Sequence, residues 1–276
     1  MTGADVPLMG AWTAAEGWTS ETAEDFQAFL DHDPDGCLIL ERAGEPAAVC
    51  MATCYGEAGF LGEMIVSRRH RGLALGPLLF DLALSHLRER GCRSVSLDAV
   101  PKAAPFYETR GFRFISLSRR FRGRLSPAVE PGIRPLRPAD MPEILALARR
   151  AFGADRSFFL QARRAQCPDL AWVREENGRI AGYLFGRRRL GFAWAGPLWA
   201  ADSGPGAAAL LRGFAAGAGG EDIQAGVLDI HAPAVSLMRE LGFEEKRSPS
   251  RRMSAGDGPP VGLDSALLAI GTAGKG

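Results

Sequence analysis

FLGEMIVSRRHRGLALGPLLFDLALSHLRER, residues 60–90, is the stretch on which the reading of this chain turns. It opens with a short apolar run, Phe60 to Val66, which reads as a strand, and passes through the basic, glycine-bearing turn from Ser67 to Gly76. A segment of helical spacing follows. Pro77 suits its first turn, where a missing N–H costs nothing, and Gly91 reads as its stop. A strand, a tight turn and a helix N-terminus together aim several backbone N–H groups and the positive end of a helix dipole at one point, which is an anion site. Gly72, Ala74 and Gly76 are small enough to let a phosphate approach the backbone, and Arg71 can add a charge-assisted contact. A pyrophosphate is the natural guest; the bland alternative is an exposed turn with solvated arginines.

A second signature follows the helix. Residues 94–112, SVSLDAVPKAAPFYETRGF, alternate as a strand, then give a short helix carrying Tyr107, then Gly-Phe. In order and spacing the two signatures resemble the GNAT N-acyltransferases, whose coenzyme loop runs Arg or Gln, two residues, Gly, one residue, Gly or Ala. Arg71, Ala74 and Gly76 stand at the defined positions. Ala74 replaces the usual glycine, which is tolerable if its φ is negative.

The resemblance implies acetyl-CoA as co-substrate and assigns its sites. Arg71, Gly72, Leu73, Ala74, Leu75 and Gly76 would hold the diphosphate. Met64, Ile65 and Val66, on a strand that splays from its neighbour, would pair with the pantetheine arm like an added strand, with room for an oxyanion contact. Tyr107 would protonate the departing thiolate. Where the family often has asparagine, seven residues before the tyrosine, this chain has Val100. The general base stays open among Glu63, Glu57 and Asp98: strand alternation sets Glu63 opposite Met64, so one of the two faces away from the cleft. Asp98 has a structural alternative, because Asp229 repeats it.

Composition sets the outer limits. The chain has 276 residues, 46% hydrophobic and 24% charged, enough for one large or two average domains of ordinary globular type. Residues 1–126 carry 14 Lys and Arg against 16 Asp and Glu, and the remainder 19 against 16, which argues against a dedicated nucleic-acid binder. The run Arg119-Arg120-Phe121-Arg122-Gly123-Arg124 is a local exception, a solvated face or a contact for an anionic substrate. No apolar run is long enough for a membrane span and the N-terminus lacks a signal-peptide pattern, so a cytoplasmic protein, monomer or homodimer, is expected. Five cysteines (Cys37, Cys50, Cys54, Cys92, Cys167) are an odd number with no CxxC pair and no histidine at metal spacing, so neither a disulfide framework nor a metal site is expected. Cys50 and Cys54, four apart on a strand, share a face, as core residues or as the lining of an acyl pocket.

Along the chain, residues 14–35 hold a helix capped by Thr19 or Ser20, with Phe26, Phe29 and Leu30 inward, ended by Asp33-Pro34-Asp35-Gly36. Trp18 and Phe26 are candidates for substrate contact or core. Strands at Cys37–Arg42 and Ala47–Tyr55 lead to the Phe60 strand as a meander. Residues 127–132 read as a linker, and Asp140 as the cap of a helix running through Ala151. The second half then partly repeats the first: Leu228-Asp229 precedes Gly242-Phe243 by the interval that separates Leu97-Asp98 from Gly111-Phe112, which suggests duplication. Met238 stands in place of Tyr107, and the turn from Ala200 to Gly206 has Asp202 and no arginine. An acid facing a pyrophosphate is repulsive, so no coenzyme is expected there.

The expected fold is therefore α/β (α+β): two tandem GNAT-like domains, each a mixed, mostly antiparallel sheet flanked by helices. Residues 1–126 would be catalytic and 133–276 a degenerate copy that completes the substrate pocket or is structural. Glu16-Gly17-Trp18, Leu97-Asp98-Ala99, Phe106-Tyr107 and Phe152-Gly153-Ala154-Asp155-Arg156-Ser157 resemble tandem acetyltransferases of the YitH-like kind. The implied activity is N-acetylation of a small-molecule amine. A non-catalytic acetyl-CoA sensor, or acetylation of a protein N-terminus or lysine, are the alternatives.

Overall fold

A computed structural model of the chain describes residues 1–18, 21–246 and 248–276. Its sheet is continuous across both halves, in the order β1-β2-β3-β4-β12-β5-β10-β9-β8-β7-β6. In the first half these are β1 (Cys37–Arg42), β2 (Glu45–Cys54), β3 (Ala58–Val66), β4 (Ser94–Ala99) and β5 (Arg113–Gly123). The second half supplies β6 (Ile133–Pro135), β7 (Ala171–Glu176), β8 (Arg179–Arg189), β9 (Phe192–Ala200), β10 (Asp222–Leu228), β11 (Glu244–Glu245), β12 (Ser250–Gly256) and β13 (Leu267–Ala269).

The order is nearly palindromic. In each half an antiparallel meander ends in a parallel pair, β3 with β4 and β9 with β10. At the centre the halves exchange strands. Strand β12, from the second half, lies between β4 and β5 of the first, with Arg252 opposite Asp98 on one side and Ser116 on the other. The far end of β5 lies between β10 and β11 of the second half, with Phe121 opposite both Ala225 and Glu245. The division at residues 127–132 is thus one of sequence; in space, each half contains a strand of the other.

Three cores follow from this layout. On one face, helix α3 (Leu75–Glu89) covers the first half through Leu79, Phe80, Ala83 and Leu87, which are helically spaced and buried. Helices α7 (Pro205–Gly217) and α8 (Ala232–Glu240) cover the second. The opposite face carries a core shared by both halves, in which Phe26, Phe29 and Phe60 pack with Phe152, Phe159 and Tyr183. Helices α1 (Val6–Ala15), α2 (Ala23–His32), α5 (Met141–Phe152) and α6 (Ser157–Gln166) build it.

Caps differ in detail from the expected ones. Thr19 and Ser20 lie outside the described residues; α2 is capped by Thr22, whose Oγ1 accepts the Asp25 N–H at 3.2 Å while the Asp25 carboxylate accepts the Thr22 N–H at 2.8 Å. Asp140 stands just before α5, but its carboxylate turns back to the Arg137 N–H (2.6 Å) and the Arg134 guanidinium (2.7 Å). Cys50 and Cys54 are both buried in the core beneath α3.

Candidate active site

The parallel pairing of β3 with β4 stops at Leu61 opposite Leu97. Beyond it β3 continues to Val66, still paired with β2 as far as Val66 opposite Ala48, while its other edge parts from β4. The backbone groups of Gly62 to Val66 on that edge face a cleft of about 460 Å³. An extended amide chain is what such an edge is built to pair with.

At the end of β3 the chain makes a 3₁₀ turn, Arg68–His70, then the loop Arg71 to Ala74, then α3. Gly72 has φ of 83°, and Ala74 has φ of 56°. The condition under which alanine would fit without strain, a negative φ, is therefore not met. The loop demands the left-handed conformation that glycine usually supplies, and alanine holds it at a cost of about 1 kcal/mol. Arg71 leans across the cleft mouth, its Nε donating to the Val66 carbonyl at 3.1 Å and its guanidinium pairing with Glu16 at 2.5 Å. An anion at this point would compete with Glu16 for that cation; the Arg71 N–H is spent on the Arg68 carbonyl, so the amides that could meet an anion are those from Gly72 into the first turn of α3.

Tyr107 lines the cleft from helix α4 (Ala104–Glu108). Its ring packs among Phe80, Phe106 and Phe112, and its hydroxyl lies 3.6 Å from the Met64 Sδ. Burial pushes the phenol above its ordinary pKa, so at neutral pH it carries its proton. Val100, in the place of the usual asparagine, lines the same cleft.

The base candidates separate in space. Glu57 sits at the far end of β3, exposed, beside Arg93. Asp98 lines the cleft but is clamped by Arg252, Nε to Oδ1 2.5 Å, with Arg120 3.8 Å away. Glu63 is buried and lines the cleft together with Met64, against the alternation rule. The cause is a bulge: the pairing with β2 slips between Val49 and Met51, and Glu63 adopts φ of 48°. Two consecutive side chains then reach the same cavity. Burial lifts the Glu63 carboxyl well above the usual carboxylate range, against the opposing pull of Lys275.

Four further lining residues, Trp194 of β9, Gln224 of β10, Ser250 of β12 and Gly274, come from the second half and had no signal in the sequence as a site. Of the arginine run, Arg120 reaches the cleft on the exchanged part of β5. Of the aromatic candidates near the start, Trp18 lines the cleft and Phe26 belongs to the core. The rest of the arginine run pairs with acids, Arg119 with Asp229 and Glu245, and Arg122 and Arg124 with Asp222. No group of three or more His, Cys, Asp or Glu among the described residues is arranged to hold a metal ion.

The second half carries the same crevice, filled. Strand β10 pairs with β9 only as far as Ala225 opposite Ala195. Beyond that point β13 lies against β9, with Leu267 opposite Trp199 and Ala269 opposite Leu198, and the Ile270 N–H donates to the Gly226 carbonyl at 2.9 Å. At the start of α7 the Asp202 carboxylate accepts the N–H groups of Gly204 and Gly206, each at 2.8 Å. A strand of the chain thus lies along the edge that stays open in the first half, and a carboxylate caps the amides at the start of the helix.

Comparison with known proteins agrees with this geometry. Residues 8–112 match the model of the acetyltransferase (GNAT) family, and residues 144–264 that of an acetyltransferase (GNAT) domain. Together the matches span more than half of the chain, which belongs to the GNAT acetyltransferase family and carries two of its domains in tandem. No curated protein matches the chain. Among solved structures it is similar to a Pyrococcus horikoshii protein assigned as an acetyltransferase (TM-score 0.81, 20% identity, 100% of this chain and 94% of that one). It is also similar to a GCN5-related N-acetyltransferase of Sphaerobacter thermophilus (TM-score 0.67, 21% identity, 96% of each chain). A tandem GNAT protein of the clavulanic acid biosynthesis pathway gives a TM-score of 0.58 at 14% identity, over 94% of this chain and 98% of that one. At these identities the likeness is one of fold.

Proposed function

We propose that the first half transfers an acetyl group from acetyl-CoA to a primary amine of a small molecule, and that the second half serves as a wall of the acceptor site. The observation that carries this reading is the free edge of Gly62 to Val66 running between the anion cradle and Tyr107. The edge pairs with the pantetheine amides, the amides from Gly72 to Gly76 hold the diphosphate, and the thioester then lies near Tyr107.

An alkyl ammonium with pKa near 10.4 is only about 0.04% neutral at pH 7, a deficit of roughly 4.6 kcal/mol in the barrier. Glu63, a buried carboxylate whose pKa is raised toward neutrality, takes the proton of the attacking amine. As the nitrogen bonds to the carbonyl carbon and the carbon–sulfur bond breaks, Tyr107 gives its proton to the sulfur and recovers one from solvent. A backbone N–H on the bulged segment of β3 faces the developing oxyanion. The wall of Trp194, Gln224 and Ser250 favours a small acceptor over a protein chain. The sequence likeness to the YitH-like kind fits the same reading, as does a cytoplasmic location.

Calorimetry with acetyl-CoA, followed by thiol release across a panel of primary amines and peptides, tests it. Tyr107→Phe is expected to keep coenzyme affinity and lower turnover about tenfold or more, some 1.4 kcal/mol in the barrier. No heat at millimolar acetyl-CoA removes the reading, and turnover with peptides alone redirects it to proteins.

A further inference from the structure

The chain beyond β13 crosses from the second half to the first and runs beneath the cleft. Lys275 is buried there, its ammonium paired with the Glu63 carboxylate; both side chains are at most 2% exposed. The Tyr55 hydroxyl donates to the Lys275 carbonyl at 3.0 Å, and the ammonium lies 5.0 Å from the centre of the Phe29 ring. The fit leaves no slack. A Cβ on Gly274 would lie 1.9 Å from Glu63 Oε1, and one on Gly62 would lie 2.1 Å from the Gly274 carbonyl oxygen. The bulge that turns Glu63 into the cleft and the segment that meets it are shaped to each other.

We propose that Lys275 is a positioning residue for Glu63, fixing the direction of its carboxylate and favouring its charged form from the opposite half of the molecule. Calling Glu63 a base rests on the transferase reading; the pairing itself does not. The groups facing Glu63 are Lys275 from this segment, Glu21 just before α2, Asp25 in its first turn, Cys37 of β1, Cys50 of β2 and Tyr55 in the turn after β2. Asp25 is itself matched by Arg163 at 2.6 Å and Arg187 at 3.6 Å. Among the described residues, Lys275 is the cation in contact with Glu63. Its loss leaves a buried carboxylate facing acids, so the carboxyl must hold its proton to a higher pH.

The test is a pH titration of the carboxyl infrared bands of the full chain. The Glu63 band is identified by its loss in the double variant Glu63→Gln, Lys275→Met, in which the pocket holds no charge from the pair and folding is kept. In Lys275→Met the midpoint is expected to rise by about one pH unit or more, and in Lys275→Arg to stay near that of the unaltered protein. With an amine that turns over, the acid limb of kcat/KM moves by the same amount while acetyl-CoA affinity, read by calorimetry, is unchanged. An unmoved midpoint in Lys275→Met, or equal shifts in Lys275→Met and Lys275→Arg, overturns the proposal. Failure of acetyl-CoA to bind the unaltered protein brings down the transferase reading instead.

Discussion

Ala74 is the residue at which the cradle is visibly strained. Its left-handed backbone is set by the loop, so Ala74→Gly is expected to stabilise the protein by up to about 1 kcal/mol, and Ala74→Val to destabilise it by a similar or larger amount. Denaturant midpoints measure both; two neutral substitutions would show that the loop relaxes around its side chain. The repeated aspartates have a single physical explanation. Asp98 grips Arg252 on β12, and Asp229 accepts the Leu117 N–H at 2.8 Å and the Ser116 hydroxyl at 2.8 Å on β5. Each therefore fastens a strand that comes from the other half, a role that does not depend on Tyr107 or on Met238 in its place. Period-two alternation could not reveal that Glu63 shares the cleft with Met64, because a bulge depends on the partner strand and leaves no mark in the bulged one.

Element by element, the first half was legible because its signals are local. The apolar run of β3, the arginine and small residues of the loop, and Pro77 and Gly91 around α3 each act within a few positions. The second half was legible only in its losses. Asp202 was read as repelling an anion; the structure shows it serving as one, bonded to the amides that a phosphate would meet. Removing it by Asp202→Ala leaves those amides to water and is expected to lower stability by about 1 kcal/mol. It should add no second coenzyme site, since β13 still fills the crevice. Calorimetry is expected to give one acetyl-CoA per chain before and after the substitution, and a stoichiometry of two would disprove the account.

At the scale of the whole molecule, the exchange of β5 and β12 could not be read from sequence, because nothing in a strand's composition names its neighbours. It has a direct consequence for dissection. Residues 1–126 alone would leave the facing edges of β4 and β5 unpaired where β12 belongs. That fragment is expected to aggregate or melt without cooperativity, while the full chain melts in one transition. A monomeric fragment with a sharp melt of its own would contradict the shared sheet.

The same interleaving bears on how such a molecule can change over time. Once each copy of a duplicated unit lends the other a middle strand, neither can be deleted without leaving sheet edges of the survivor unpaired, so a copy is held in place by architecture whatever it binds. The residues that the second half sends into the cleft, Trp194, Gln224 and Ser250, can then vary without touching the loop from Arg71 to Ala74, so one wall of the cavity can change shape while the opposite wall stays fixed.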